Sequence, residues 1–174
     1  MHQAQQELLV LAAQNGNEQA YECLITIFHP QLVKFGYSLS GDHSLANDAV
    51  QDVWLSISKK LRHLKDPRAF KSWLFRAVRW RVLDLQKAKS YNHQNIDNVV
   101  LNIESVELDE SEIENRQLLK LIANLPIAER SVIYLFYLAE LPIAEIAAVL
   151  EIPAGTVKSR LNRARTNLQK LITD

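Results

Sequence analysis

The sequence is short of several things. It has one cysteine and one methionine in 174 residues, four glycines and five prolines. A single Cys23 excludes an internal disulfide, and with five scattered histidines it leaves no metal-ligand spacing, so no metal site is expected. Cys23 lies in an apolar helical stretch and reads as a small buried hydrophobe. Few glycines and prolines argue against a loop-rich all-β protein and favour helix. No apolar run approaches the ~20 residues needed to span a bilayer; the longest, Val132 to Ala139, contains two tyrosines. Met1 to Gln6 is polar and lacks a signal-peptide pattern, so a cytoplasmic protein without direct membrane insertion is expected. Net charge is absent too, with 20 basic and 20 acidic residues.

That neutrality hides a pattern. Residues 1–55 carry −5, residues 56–95 carry +9, residues 96–114 carry −7 and residues 115–174 carry +3. Fields are screened over about 8–10 Å in physiological salt, so a partner meets each block separately. A neutral total therefore does not exclude nucleic acid.

The periodicity is helical throughout, which gives an all-α fold of two small domains. A short helix is expected over Gln3–Gln14, with Leu8, Leu9, Leu11 and Ala12 on its apolar side. A second starts near Glu18, is kinked or interrupted at Pro30, and resumes to Leu39. The third runs from about Ser44 to Leu64, with Leu45, Ala49, Val53, Ile57 and Leu61 repeating every four residues. Asp42 or Ser44 is its expected cap. Asp66 and Pro67 then open a fourth helix to about Lys89, with Phe70, Trp73, Leu74, Ala77 and Val78 inward. The boundaries are a domain over 1–90, a flexible acidic linker over 91–108 and a second domain over 109–174. In the second domain, helices are expected over 109–124, from Pro126 to near Ala139, from Pro142 to Leu150, and from Thr156 to about Ile172.

The last two helices read as a helix-turn-helix. Gly155 is placed at the bend and Thr156 at the cap. Val157, Leu161, Ala164, Leu168 and Leu171 form one inward seam. The outward side carries Lys158, Ser159, Arg160, Asn162 and Arg163, whose side chains suit base edges in a major groove. An ordinary solvated helix is the competing reading. The +9 block interleaves eleven basic residues with Phe70, Trp73, Phe75 and Trp80. Cations neutralise phosphates, and aromatic rings stack on unpaired bases. Alternatively, those rings are core and the charges are solvation. Trp80 falls off the apolar stripe and fits either reading.

Two stretches carry a resemblance. Asp48-Ala-Val-Gln-Asp-Val-Trp54, followed by Phe70-Lys-Ser-Trp-Leu-Phe-Arg76 and Asp84, resembles the first domain of extracytoplasmic-function (ECF) sigma factors. Leu125-Pro-Ile-Ala-Glu-Arg-Ser-Val-Ile133, Ile143-Ala-Glu-Ile-Ala147 and the segment Gly155 to Arg165 resemble the second. The resemblance spans residues 18–172, in family order.

It implies a function and a set of roles. Such a protein binds core RNA polymerase and directs promoter recognition, melting and transcription initiation, without enzyme activity or a cofactor. Asp48, Gln51, Asp52 and Leu55, at i, i+3, i+4 and i+7 on one helical face, match the polymerase-docking surface. Lys65, Arg68, Arg76, Arg79, Trp80 and Lys87 fall in the part that melts and reads the minus-ten element. Lys158, Ser159, Arg160, Asn162 and Arg163 match positions that read the minus-thirty-five element. No further domain is expected after the last helix, and an anti-sigma partner, which holds many relatives inactive, is the regulator the resemblance allows. Two departures stand out: Trp80 replaces a usual Asn, and Arg81 replaces a typically apolar residue. The alternative is a free-standing helix-turn-helix regulator with an unrelated N-terminal oligomerisation or sensing domain.

Overall fold

A computed structural model describes residues 3–92 and 120–173, and every regular element among them is helical. The chain divides into two compact units, Met1–Gln94 and Asn95–Asp174. The acidic segment from residue 93 and the helix expected from Asp109 lie outside the described residues, apart from a helical turn at 120–123.

The first unit holds α1 (Gln3–Gln14), α2 (Glu18–Ser40), α3 (His43–Lys60) and α4 (Phe70–Asn92). Asn17 starts α2 by accepting from the Ala20 N–H at 3.0 Å. Pro30 does not interrupt α2, which continues through it. Pro30 and Thr26, whose carbonyl loses its helical partner there, are both exposed, so water can serve that carbonyl. Gly41 ends α2 in the left-handed region at φ 69°, where a glycine carries no steric cost. Its N–H bonds the Tyr37 carbonyl at 2.8 Å.

Asp42, the next residue, caps α3 by accepting from the Leu45 N–H at 3.1 Å. Lys89 of α4 donates to its other oxygen at 2.7 Å. The Lys89 hydrogen bond, then the Leu45 amide, holds the Asp42 carboxyl below the usual carboxylate range. Its native pKa is thus lower than its unfolded value of about 4. The resulting stabilisation is fully present above the unfolded value and is lost as pH falls through the native one. Asp42→Asn, which keeps a capping oxygen, should flatten this acid dependence in thermal unfolding; Asp42→Ala should also cost about 0.5–2 kcal/mol.

The core of this unit is aliphatic and aromatic. Leu24, Phe28, Leu32 and Phe35 of α2 meet Ala46, Ala49, Val50 and Val53 of α3 and Phe70, Leu74, Phe75 and Val78 of α4, all buried. Edge-to-face ring pairs, Phe28–Phe70 at 5.8 Å and Phe35–Phe75 at 5.2 Å, lock α2 to α4. Gly36 lets α2 approach α3 closely: a Cβ there would sit 3.3 Å from the Ala46 Cβ.

Several expectations are corrected here. Cys23 is exposed, because the inward stripe of α2 runs Ala20, Leu24, Phe28, Leu32 and misses it. On α1 the buried residue is Val10, while Leu8 and Leu11 face solvent. The Gln14 side-chain amide donates to the Leu61 and Leu64 carbonyls at 3.0 and 2.7 Å, which fixes that rotation. The third helix ends at Lys60, followed by a 3-10 turn over Leu61–His63. Asp66 and Pro67 open a second 3-10 turn, Pro67–Ala69, before α4. Trp73 is half-buried, whereas Phe75 is fully buried.

The second unit holds α5 (Ile127–Ile133), which continues as a π-helical turn over Tyr134–Leu138, then α6 (Ile143–Leu150) and α7 (Ala154–Thr173). Buried Arg130 donates to the Ala123 carbonyl at 2.7 Å, tying α5 to the helical turn before it. Buried Glu129 accepts from the Asn167 amide at 2.8 Å, tying α5 to α7. Ile146, Val149 and Leu150 pack with Val157, Leu161 and Ala164 in the interior. The seam fades beyond Ala164: Leu168 is half-buried and Leu171 is 40% exposed.

The bend between α6 and α7 is not at Gly155. Glu151 takes the left-handed conformation (φ 57°, ψ 45°), and its N–H bonds the Ala147 carbonyl. The Pro153 carbonyl then accepts from Thr156 and Val157, so Gly155 and Thr156 already lie inside the first turn of α7.

Candidate nucleic-acid and protein interfaces

The outward face of α3 is set by its own periodicity. Leu45, Ala49, Val53, Trp54 and Ile57 point inward, which leaves Asp48, Gln51 and Leu55 exposed and Asp52 half-exposed. Leu55 is 67% exposed, a large apolar side chain beside two carboxylates and an amide. Such a mixed face suits a partner with an apolar spot rimmed by cations. Tyr21 fixes α3 from behind: its hydroxyl donates to the Trp54 carbonyl at 2.7 Å, and burial pushes its pKa up to about 12.

A groove of about 730 Å³ runs between α3 and α4. Asp52 and Lys60 line its α3 side, and Trp73, Arg76, Trp80 and Arg81 line its α4 side. Trp80 is 50% exposed, with the Arg76 guanidinium carbon 5.2 Å from its ring centroid. Arg81 reaches α3, where Nε donates to Asp52 Oδ2 at 2.8 Å. Lys65 and Lys87 are exposed, and Arg79 is half-buried. Arg68 is exposed but engaged: Nε and Nη2 donate to the two Asp66 oxygens at 3.0 and 3.1 Å. Hydrogen bonding to Arg68 holds Asp66 below the usual carboxylate range.

On α7, Lys158, Ser159, Asn162 and Arg163 are exposed and Arg160 is half-buried, all within the first turns after the bend. The Ser159 hydroxyl donates to the Thr156 carbonyl at 3.0 Å. Further along, Arg165 donates to the Tyr137 hydroxyl at 2.8 Å and lies over the Phe136 ring. Among the described residues no cluster of His, Cys, Asp and Glu could hold a metal ion, and no helix is long and apolar enough to cross a membrane.

Two family profiles match the chain: Sigma-70 region 2 over residues 24–91 and Sigma-70, region 4 over residues 115–168. The chain belongs to the sigma-70 family, as an ECF sigma factor. It is 27% identical to the ECF RNA polymerase sigma factor SigW of Bacillus subtilis, covering 91% of this chain and 92% of the relative. It is 29% identical to SigM of Mycobacterium tuberculosis, covering 98% of this chain and 86% of that one. Among solved structures, it is similar to the sigma factor RpoE of Bartonella quintana, crystallised in complex with the anti-sigma factor NepR. That match has 28% identity and a TM-score of 0.70, and covers 88% of this chain and 96% of the other.

In this ECF sigma factor the region 2 match contains the α3 face, the loop at 61–69 and α4, and the region 4 match contains α5 to α7 up to residue 168. The site side chains named from sequence are therefore distributed over α3, the loop at 61–69 (Lys65 and Arg68), α4 and α7. Two contacts made by these side chains differ in how far the sequence announces them. The Arg76–Trp80 contact has a signal in sequence, since the two lie at i and i+4. The Asp52–Arg81 pair, 29 residues apart, has none.

Proposed function

We propose that this ECF sigma factor is a dissociable subunit that docks on core RNA polymerase and lends it promoter specificity. Docking uses Asp48, Gln51, Asp52 and Leu55 on α3. Lys65, Arg68, Arg76, Arg79, Trp80 and Lys87 serve the minus-ten element, with Arg68 exchanging Asp66 for phosphate. Lys158, Ser159, Arg160, Asn162 and Arg163 serve the minus-thirty-five element from α7. The domains are residues 1–90 and 109–174, with the acidic segment 91–108 as connector. The protein acts in the cytoplasm, through binding energy and without bond chemistry of its own. The Bartonella relative is bound by an anti-sigma factor, and a partner of that kind is the natural regulator here.

The observation that carries this reading is the pairing, in one chain, of an exposed mixed apolar–acidic face on α3 with two separate basic helices, α4 and α7. A regulator that binds duplex DNA unaided needs no Leu55 held in solvent and no tryptophan between arginines. The test is in vitro transcription with purified core polymerase and the full chain on a genomic fragment library. Discrete starts that appear only with the protein are expected; random or absent starts would reject the reading.

Within it, Arg163→Ala should cost roughly 1–3 kcal/mol of holoenzyme affinity at the cognate promoter, if Arg163 reads a base edge. Equal weakening on every sequence would make it a phosphate contact, and unchanged binding would remove it from the interface.

A further inference from the structure

Arg81 occupies a position where the family resemblance leads one to expect an apolar side chain, and the fold gives it a definite partner. Its Nε donates to Asp52 Oδ2 at 2.8 Å, and its Nη2 lies 2.7 Å from the same oxygen. Both side chains remain substantially in solvent, 41% exposed for Arg81 and 44% for Asp52. The pair links two surfaces with different tasks: Asp52 belongs to the docking face of α3, and Arg81 to the promoter-facing helix α4.

Both contacts fall on one carboxylate oxygen. A carboxylate offers about four acceptor sites over its two oxygens, so Asp52 can take a second cation at Oδ1 without releasing Arg81. An unpinned aspartate on an exposed helix face samples several rotamers, and ordering it on binding weakens the complex. A carboxylate already held by a guanidinium fork has lost that freedom.

We propose that Arg81 is a positioning residue for polymerase docking: it holds the Asp52 carboxylate ready to accept an arginine or lysine of core polymerase. This rests on the docking role of the α3 face. The benefit is orientation and not field, because Arg81 neutralises Asp52 at long range. Removing Arg81 therefore makes the face more negative, which favours encounter with a basic partner, yet speeds dissociation. A purely electrostatic role predicts the opposite sign of the net effect.

The experiment is a double-mutant cycle in binding of the full chain to core polymerase at physiological salt, with association and dissociation rates resolved. Arg81→Ala should weaken binding about threefold to tenfold, through faster dissociation. Asp52→Asn should weaken it about tenfold or more, and the double variant no further than Asp52→Asn alone. Arg81→Met, which keeps the alkyl stem, should match Arg81→Ala. An Arg81→Ala variant that binds as well as or better than wild type overturns the inference. So do additive effects in the double variant, or full recovery in Arg81→Met, which would assign the loss to packing. If Asp52→Asn itself leaves affinity unchanged, the docking assignment of Asp52 falls, and the inference falls with it.

Discussion

Asp48→Arg combined with Leu55→Asp should lower affinity for core RNA polymerase by about 100-fold or more, with the melting temperature nearly unchanged. The fold has little invested in either side chain: Asp48 is exposed and Leu55 is 67% exposed, while the stripe Leu45, Ala49, Val53 and Ile57 carries the packing of α3. Exposed substitutions of this kind usually stay within about 0.5 kcal/mol in stability. At an interface the same changes act differently. In a complex docked through α3 they would remove an apolar anchor, place a charge where it sat and reverse a carboxylate that faces the partner's cations. Central contacts of this type cost about 2–4 kcal/mol each when removed, so 100-fold, about 2.7 kcal/mol, is a conservative figure. Binding of the variant to core polymerase, measured beside its thermal unfolding, checks both halves. Wild-type affinity would refute docking through α3. Lost affinity with a lowered melting temperature would make the effect one of folding.

How far the sequence reveals such a site depends on which physical rule governs each residue. The α3 face was legible because a four-residue apolar repeat fixes a helix's rotation, and Asp48, Gln51 and Leu55 are then exposed by geometry. Cys23 shows the converse: residue type suggests burial, but position relative to Ala20, Leu24 and Phe28 decides it, and the side chain is exposed. On α1 the run Leu8-Leu9-Val10-Leu11-Ala12 is apolar all round, so periodicity leaves the rotation open. A long-range bond from Gln14 to the Leu61 and Leu64 carbonyls helps settle it. The α6–α7 bend shows a local signal overridden: Gly155 is the obvious hinge, yet Glu151 adopts the left-handed conformation. A non-glycine residue there is uncommon, and nothing in its type announces it. The Asp52–Arg81 pair, joined only through tertiary packing, had no sequence signal at all.

Trp80 belongs to a third kind, a residue whose position off the stripe leaves two readings open and whose 50% exposure places it outside the core. Trp80→Ala combined with Arg76→Ala should lower open-complex formation by about tenfold to several hundredfold. The estimate joins roughly 1–3 kcal/mol for one base stacked on an aromatic ring with about 0.5–1 kcal/mol for a cation over that ring. The geometry supports treating the two as a unit: Arg76 lies one turn before Trp80, its guanidinium 5.2 Å from the ring centroid, and both line the α3–α4 groove. Trp80→Phe should retain most of the activity, since stacking needs a flat ring and not the indole N–H. Templates distinguish capture of an unpaired base from help in separating the duplex. If Trp80 holds an unpaired base, the double variant stays defective on a promoter already melted by mismatches across the minus-ten element. If it acts only while the strands part, the mismatched template restores wild-type rates. Wild-type open-complex formation on the intact duplex would leave Trp80 a solvent-exposed side chain without a role in the promoter complex.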